Sequence, residues 1–102
     1  MQSIIIKVLK ELKLTVKYSR KFLKELIELE DKTRNKIEEI VFNTIPNTNP
    51  ISSGYLEKLQ GYDDKYKIRV GNFRIGCTID KKSDIIYFER VLHRKDIYNV
   101  FP

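Results

Sequence analysis

The sequence is poor in the residues that build metal centres and covalent catalytic sites, with one cysteine and one histidine among 102 residues. Cys77 has no partner for an internal disulfide, which is typical of a protein from a reducing compartment. One cysteine and one histidine cannot complete a four-ligand zinc site. Cys77 also falls in the apolar alternation of a predicted strand, so we expect a buried and unreactive thiol. We therefore expect neither a metal nor a cofactor.

Long apolar runs and glycine-rich phosphate loops are also missing. The longest apolar run near the start is the three isoleucines at 4–6, which is too short for a membrane span or a signal-peptide core. No Gly-x-x-x-x-Gly-Lys or Gly-x-Gly-x-x-Gly pattern occurs, and the glycines of "VGNFRIG" are better explained by a hairpin. We expect a cytoplasmic protein that does not contact a membrane.

What the sequence does have is an excess of positive charge, with a net charge of +6. Residues 1–54 and residues 55–102 each hold 10 Lys and Arg against 7 Asp and Glu, so no single tail carries the excess. A basic surface must therefore be assembled by folding, and nucleic acid is the first partner that such a charge favours. The length predicts one domain over 1–102, in which residues 1–11 form an extension of uncertain structure.

Periodicity predicts a strand followed by two helices in the first half. Residues 12–18 alternate between apolar and polar side chains, as a half-buried strand does. Ser19 is a candidate N-cap for a helix whose apolar stripe is Phe22, Leu23, Leu26 and Ile27. A second helix is predicted from Thr33, with Ile37, Ile40, Val41 and Thr44 on one side. Pro46 should end it, and residues 46–54 read as a loop.

Three further strands are predicted at 66–70, 73–79 and 85–92. Gly71 and Asn72 suit a two-residue hairpin turn, and residues 80–84 suit the next turn. The predicted fold class is α+β with the order β-α-α-β-β-β, in which a helical hairpin covers one face of a small, mainly antiparallel sheet.

Cations collect on the face of this sheet that the helices leave open. Because side chains alternate along a strand, Lys67 and Arg69 should point away from the core, and Arg74 should join them across the hairpin turn. We expect no acidic residue on this face to neutralise them, so the surface is a candidate anion site. The last strand continues into His93, Arg94, Lys95 and Tyr98. The pattern does not show which face of the sheet Arg90 takes. The simpler alternative to an anion site is that these cations form a solvated polar face.

The motifs in this half resemble the RelE/ParE superfamily of toxins. The carrying residues are "KLQGYDDKYKIRVGNFRIGCTID" and, after one strand, "VLHRKDIY". The resemblance covers roughly residues 12–98, and the family's fold has the element order predicted above. Leu92 stands where the family usually has glycine.

The resemblance implies the toxin of a type II toxin–antitoxin system that enters the ribosomal A site and cleaves mRNA without a metal. Lys67 and Arg69 would line the site, with Lys67 a candidate base for the 2′-hydroxyl. Arg74 and Arg94 would contact the scissile phosphate, Tyr98 would stack on or orient a base, and His93 is a candidate general acid. The implied partners are a cognate antitoxin, in a hetero-oligomer, and the 70S ribosome with its mRNA.

Two other functions stay open. A ParE-like relative would inhibit DNA gyrase with the same fold and no nuclease activity. A non-catalytic module would grip nucleic acid with the basic sheet and stack bases on tyrosines.

Overall fold

The computed structural model describes residues 4, 14–48, 50 and 54–102. Two helices follow the first strand: α1 spans Arg20–Ile27 and α2 spans Asp31–Glu38. The second helix continues as a π-helical segment, Glu39–Thr44, and a 3₁₀ turn, Ile45–Asn47. The predicted helical hairpin is therefore confirmed, although Pro46 lies within the final turn of the second helix rather than after it.

Five strands form one sheet in the order β1-β5-β4-β3-β2. Their bounds are Thr15–Tyr18 for β1, Leu56–Lys58 for β2, Lys65–Val70 for β3, Phe73–Asp80 for β4 and Ile85–His93 for β5. The strand β1 pairs in parallel with β5, and all other pairs are antiparallel. The α+β class and the mainly antiparallel sheet are confirmed. The short strand β2 was not expected, and it has consequences for the site.

The first helix begins where the sequence predicts. The Ser19 side chain accepts a hydrogen bond of 3.0 Å from the backbone N–H of Phe22, which satisfies one of the free donors at the helix start. Phe22 and Leu26 are buried under the sheet, but Leu23 and Ile27 remain exposed. Only two of the four residues in the predicted apolar stripe are therefore buried.

The main core fills the space between the helices and one face of the sheet. The strands contribute alternate residues, as their patterns predict, and Phe22, Phe88 and Tyr18 stack against one another with ring centroids 5.7–6.1 Å apart. Fully buried members include Phe22, Ile37, Val41, Ile68, Ile75, Cys77, Ile86, Phe88 and Val91.

A β-bulge explains why the face of Arg90 could not be read from the sequence. In the ladder between β4 and β5, Cys77 pairs with Phe88 and Gly76 with Arg90, so Glu89 is the extra residue. The buried positions of β5 therefore shift from even to odd numbers. Arg90 reaches Glu25 of α1, with its Nη2 donating to Oε2 over 2.7 Å, and this hydrogen bond raises the pKa of Arg90.

Cys77 is fully buried, as expected, and the combined effect of burial and the nearby Glu89 carboxylate raises the pKa of its thiol. No helix within the described residues has the length and apolarity needed to cross a bilayer. Those residues also hold no cluster of side chains suited to a metal ion. The expectations for residues 1–3 and 5–13, and for residues 49 and 51–53 of the loop at 46–54, lie outside the described residues.

Candidate active site

The sheet face that the helices leave open is organised in rows of residues paired across the strands. One row holds Arg69, Arg74 and Leu92, and the next holds Glu57, Lys67, Gly76 and Arg90. Paired residues lie about 5 Å apart, and neighbouring rows are separated by two residues, or about 7 Å. The predicted grouping of Lys67, Arg69 and Arg74 on one face is therefore observed.

The β3–β4 hairpin holds the first pair of arginines. Arg69 and Arg74 are direct cross-strand partners on either side of the turn at Gly71 and Asn72. Gly71 has a φ of 59°, which suits glycine in such a turn. Arg74 donates from Nη1 to the carbonyls of Gly71 and Phe73, both at 2.8 Å, so its guanidinium is fixed against the turn. A fixed guanidinium loses little conformational entropy when it binds an anion.

Arg94 joins the arginines at the same turn. Its backbone N–H donates to the carbonyl of Asn72 over 2.7 Å, which extends the β4–β5 ladder by one bond. Its side chain is exposed. The fold thus brings together three arginines that are separated by up to 25 positions in the chain, as the motif positions predict.

Lys67 and Tyr98 form the second part of the site. Lys67 donates from Nζ to the Tyr98 hydroxyl over 3.0 Å, and its ammonium lies 5.4 Å from the centre of the ring. Tyr98 sits in a 3₁₀ turn, Ile97–Asn99, that follows β5 and folds back over the sheet. The ring is 52% exposed, so it remains available to another aromatic surface. We call Lys67, Arg69, Arg74, Arg94 and Tyr98 the basic surface.

A small second core covers the centre of this face. It consists of Leu59, Ile97 and Phe101, with Leu92 packed against them. Phe101 lies directly on Gly76, where a Cβ atom would come within 2.5 Å of its ring. Strand alternation predicts an uncovered face here, and the cluster was not expected. Its signal was the apolar residues after the last predicted strand, which alternation cannot assign to a face.

The expectation that no acidic residue lies on this face is wrong. Glu57 of the unexpected strand β2 pairs with Lys67 and places its Oε2 2.9 Å from Nε of Arg69. The two groups are in contact as an ion pair, without the alignment of a hydrogen bond. Both side chains are substantially exposed, so the pair contributes at most about 1 kcal/mol to stability. It does neutralise one of the three arginines in the free protein.

His93 does not lie with Arg74. It pairs with Phe73, and their rings meet edge to face at 5.6 Å on the side of the sheet that carries the helices. Its Nδ1 accepts a hydrogen bond from the backbone N–H of Lys95 over 3.1 Å. The imidazole therefore stabilises the turn that contains Arg94 and Lys95. The side chain of His93 points to the helix side, although its backbone lies next to the basic surface at the end of β5.

This arrangement provides two kinds of contact for a polyanion. The paired guanidinium groups of Arg69 and Arg74, together with the exposed side chain of Arg94 from the same turn, can bind a phosphate and stabilise charge that develops on it. Beside them, an amine in contact with a phenol can orient a hydroxyl group, and the exposed ring can stack on a base. The surface thus has chemical groups that can bind a phosphodiester backbone and place a base beside it.

A family model described as the ParE toxin of the type II toxin–antitoxin system parDE matches residues 16–98. The chain is also 38% identical over 89 residues to Toxin RelE3 of Methanocaldococcus jannaschii, an alignment that covers 85% of this chain and 98% of the relative. Residues 16–98, which the family model matches, include α1, α2, all five strands except the first residue of β1, and all residues of the basic surface.

Solved structures agree with these matches. The chain resembles one from the RelB–RelE antitoxin–toxin complex of Methanococcus jannaschii, with a TM-score of 0.66 and 36% identity over 84% of this chain and 99% of the other. A chain of the archaeal RelE–RelB complex from Pyrococcus horikoshii OT3 has a TM-score of 0.65 over 80% of this chain and 96% of its own length. Its identity of 23% supports the fold alone.

Proposed function

The chain belongs to the RelE/ParE superfamily of type II toxins, and from that premise we propose that it is a ribosome-dependent endoribonuclease that cleaves mRNA in the A site. The observation that carries the proposal is the contact between Lys67 and Tyr98 beside the paired arginines. A binding surface alone needs only cations and rings, whereas cleavage needs a group that can take a proton at a fixed place.

In the proposed reaction, the 2′-hydroxyl of one nucleotide attacks the adjacent phosphorus, and the bond to the 5′-oxygen of the next nucleotide breaks. Lys67 in its neutral form accepts the proton of the 2′-hydroxyl, and Tyr98 stacks on a base of the codon and orients Lys67. Arg74 and Arg94 stabilise the additional negative charge on the phosphorane, and Arg69 holds a neighbouring phosphate. The products are a 2′,3′-cyclic phosphate and a free 5′-hydroxyl.

The group that protonates the 5′-oxygen is a separate prediction. His93 remains the candidate general acid, and its imidazolium would have to give up the hydrogen bond that Nδ1 accepts from Lys95. The substitution His93→Gln tests the role, because loss of a general acid removes one limb of the pH–rate profile. An unchanged profile would leave Arg94 as the neighbouring residue that serves the leaving oxygen.

The decisive experiment is primer extension on a reporter mRNA in a translating extract that receives the purified chain. We expect cuts at codons in the A site only while ribosomes translate. The paired variant Arg69→Ala/Arg74→Ala should abolish them. The variant Lys81→Ala/Lys82→Ala removes the same charge from an exposed turn and should not.

Inhibition of gyrase is the second candidate function, because the matching family model carries the name of the ParE toxins. A supercoiling assay with purified gyrase separates the two candidates. Inhibited supercoiling without mRNA cuts would replace the ribonuclease proposal. RNA binding in the absence of ribosomes, with neither activity, would leave a non-catalytic nucleic-acid-binding module.

We also propose that a cognate antitoxin neutralises the chain, in a hetero-oligomer of the kind that the related RelB–RelE complex represents. The net charge of +6 favours an acidic partner that folds along the toxin. Expression of the chain alone should arrest growth, and the variant Arg69→Ala/Arg74→Ala should not. Growth at full rate with high expression of the unmodified chain would contradict the toxin assignment.

A further inference from the structure

The contact between Lys67 and Tyr98 is too weak to hold Tyr98 in place by itself. Both groups face solvent, where the contact of a cation with an aromatic ring is weak. Fixing the backbone of even one residue costs more conformational entropy than such a contact offsets. Another interaction must therefore hold the turn that carries Tyr98.

Among the described residues, no backbone hydrogen bond attaches this turn to the sheet beyond Arg94. In the described structure, the N–H groups of Asp96, Asn99, Val100 and Phe101 donate to carbonyls within residues 93–97. These bonds fix the local conformation of the segment but not its position on the sheet. Side chains must therefore attach the segment to the sheet.

Two buried side chains flank Tyr98 and can provide this attachment. Ile97 is 1% exposed and Phe101 is 5% exposed, and both belong to the second core. Since Ile97 and Phe101 point into the sheet, Tyr98 between them points outward. Burial of an apolar side chain of this size stabilises the segment more than the solvent-exposed contact of Tyr98 with Lys67 does.

The seat of Phe101 lies in the same cross-strand pair as Lys67. Gly76 is the direct partner of Lys67, and the ring of Phe101 occupies the space that a Cβ atom of residue 76 would need, 2.5 Å from the ring atom Cδ2. The two ends of the segment thus rest on the two members of one residue pair: Tyr98 on Lys67 and Phe101 on Gly76. A shift of the Phe101 ring must move the Tyr98 ring relative to the Lys67 amine.

We infer that Phe101, seated on Gly76, is a positioning residue that sets Tyr98 against Lys67 for the cleavage step. The inference rests on the proposed function for its catalytic consequence, but the geometric part stands without it. Phe101 does not itself reach the reacting atoms. Gly76 is required because any side chain there would occupy the seat of the ring.

The geometric part can be tested with tryptophan fluorescence, because the sequence contains no tryptophan. The substitution Tyr98→Trp introduces a single reporter at the site. Adding Phe101→Ala should increase acrylamide quenching and lower the fluorescence anisotropy of that indole, whereas adding Val100→Ala, which alters an exposed neighbour, should change neither. Circular dichroism confirms that each variant is folded. Unchanged quenching and anisotropy in the folded Phe101→Ala protein would overturn the inference.

The catalytic part is tested by single-turnover cleavage on programmed ribosomes. Phe101→Ala should lower the cleavage rate by about 10²-fold, as expected for a misplacement of about 1 Å, with little change in ribosome affinity. Phe101→Leu should restore part of the rate. Gly76→Ala should also lower the rate, because its methyl group would occupy the place of the Phe101 ring. In a Tyr98→Ala background, Phe101→Ala should cost nothing further, because both variants remove one function.

Full additivity of the two losses would overturn the positioning role. If the unmodified chain cleaves no mRNA, the proposed function fails, while the fluorescence measurement still decides whether Phe101 positions residue 98.

Discussion

The two faces of the sheet are filled in different ways. The helix side is a continuous core to which β3, β4 and β5 contribute buried side chains, while β1 and β2 contribute partly buried ones. The opposite face carries Lys67, Arg69 and Arg74, and a cluster of four apolar residues lies over its centre. The same backbone thus supports a dry core on one side and a charged, partly exposed surface on the other.

Substitutions on the two faces should therefore have different effects. On the helix side, a truncated side chain leaves a cavity, so the cost is paid in stability. On the opposite face, the contacts of the cations lie at the solvent-facing surface, so their loss should affect binding and catalysis more than folding. The second core lies between these cases, because it is apolar but includes Ile97, which is next to the site residue Tyr98 in the chain.

The largest effect is expected from Phe88→Ala on the helix side. Phe88 is fully buried and stacks with Tyr18 and Phe22. The free energy of unfolding should fall by about 3–5 kcal/mol, measured by urea denaturation. Leu92→Ala on the opposite face, where the residue is only partly buried, is the matched control and should cost less. Equal losses would show that the two faces contribute alike to stability.

The next effect concerns the arginines at the β3–β4 turn. Arg74→Ala or Arg94→Ala should lower the single-turnover cleavage rate by about 10²–10³-fold, as loss of a donor to a developing charge does. The free energy of unfolding should change by no more than about 0.5 kcal/mol in Arg94→Ala, and by about 1 kcal/mol in Arg74→Ala, which also loses the hydrogen bonds to the turn carbonyls. Lys82→Ala, in an exposed turn, serves as the control and should leave the rate unchanged. Full activity in either arginine variant would remove these residues from the mechanism.

Alkaline pH should weaken the helix side through Cys77. Burial raises the pKa of its thiol above the value of an unfolded cysteine, about 8.5. The folded state therefore keeps a proton that the unfolded state loses. The stability is complete below the unfolded pKa and decreases above it, by at most about 1.4 kcal/mol per pH unit. Urea denaturation between pH 8 and 9.5 measures the slope, which Cys77→Ala should flatten. An identical slope in that variant would assign the effect to another group.

The smallest effect should come from Glu57, the acidic residue on the basic surface. Glu57→Gln frees Arg69 from its ion pair and should increase the affinity for a short single-stranded RNA by up to about fivefold, as the upper limit for an exposed pair allows. Fluorescence anisotropy with a labelled oligonucleotide at low salt measures the affinity. Glu28→Gln makes the same change in net charge at an exposed position in the first helical region. A gain of the same size in both variants would mean that net charge alone is responsible.

Much of the helix side was predictable because its signals are local. Alternation in "YKIRV" and "FRIGCTI" identified the buried members, and Ser19 marked the start of α1. The strand β5 was predicted, but the face of Arg90 stayed open because Glu89 is inserted into the ladder and shifts the alternation by one residue. It also missed β2, since a strand of three residues has too short a period to detect.

The basic surface was only half predictable. The faces of Lys67, Arg69 and Arg74 follow from strand alternation, and the sequence by itself determined that these cations point away from the core. The tertiary structure alone decided that Glu57 lies beside Arg69, that His93 lies with Phe73, and that Phe101 covers Gly76. Alternation reports which side a residue takes within its own strand. Which distant segment then covers that side depends on pairing between strands and on packing after the last strand, and neither leaves a periodic signal in the sequence.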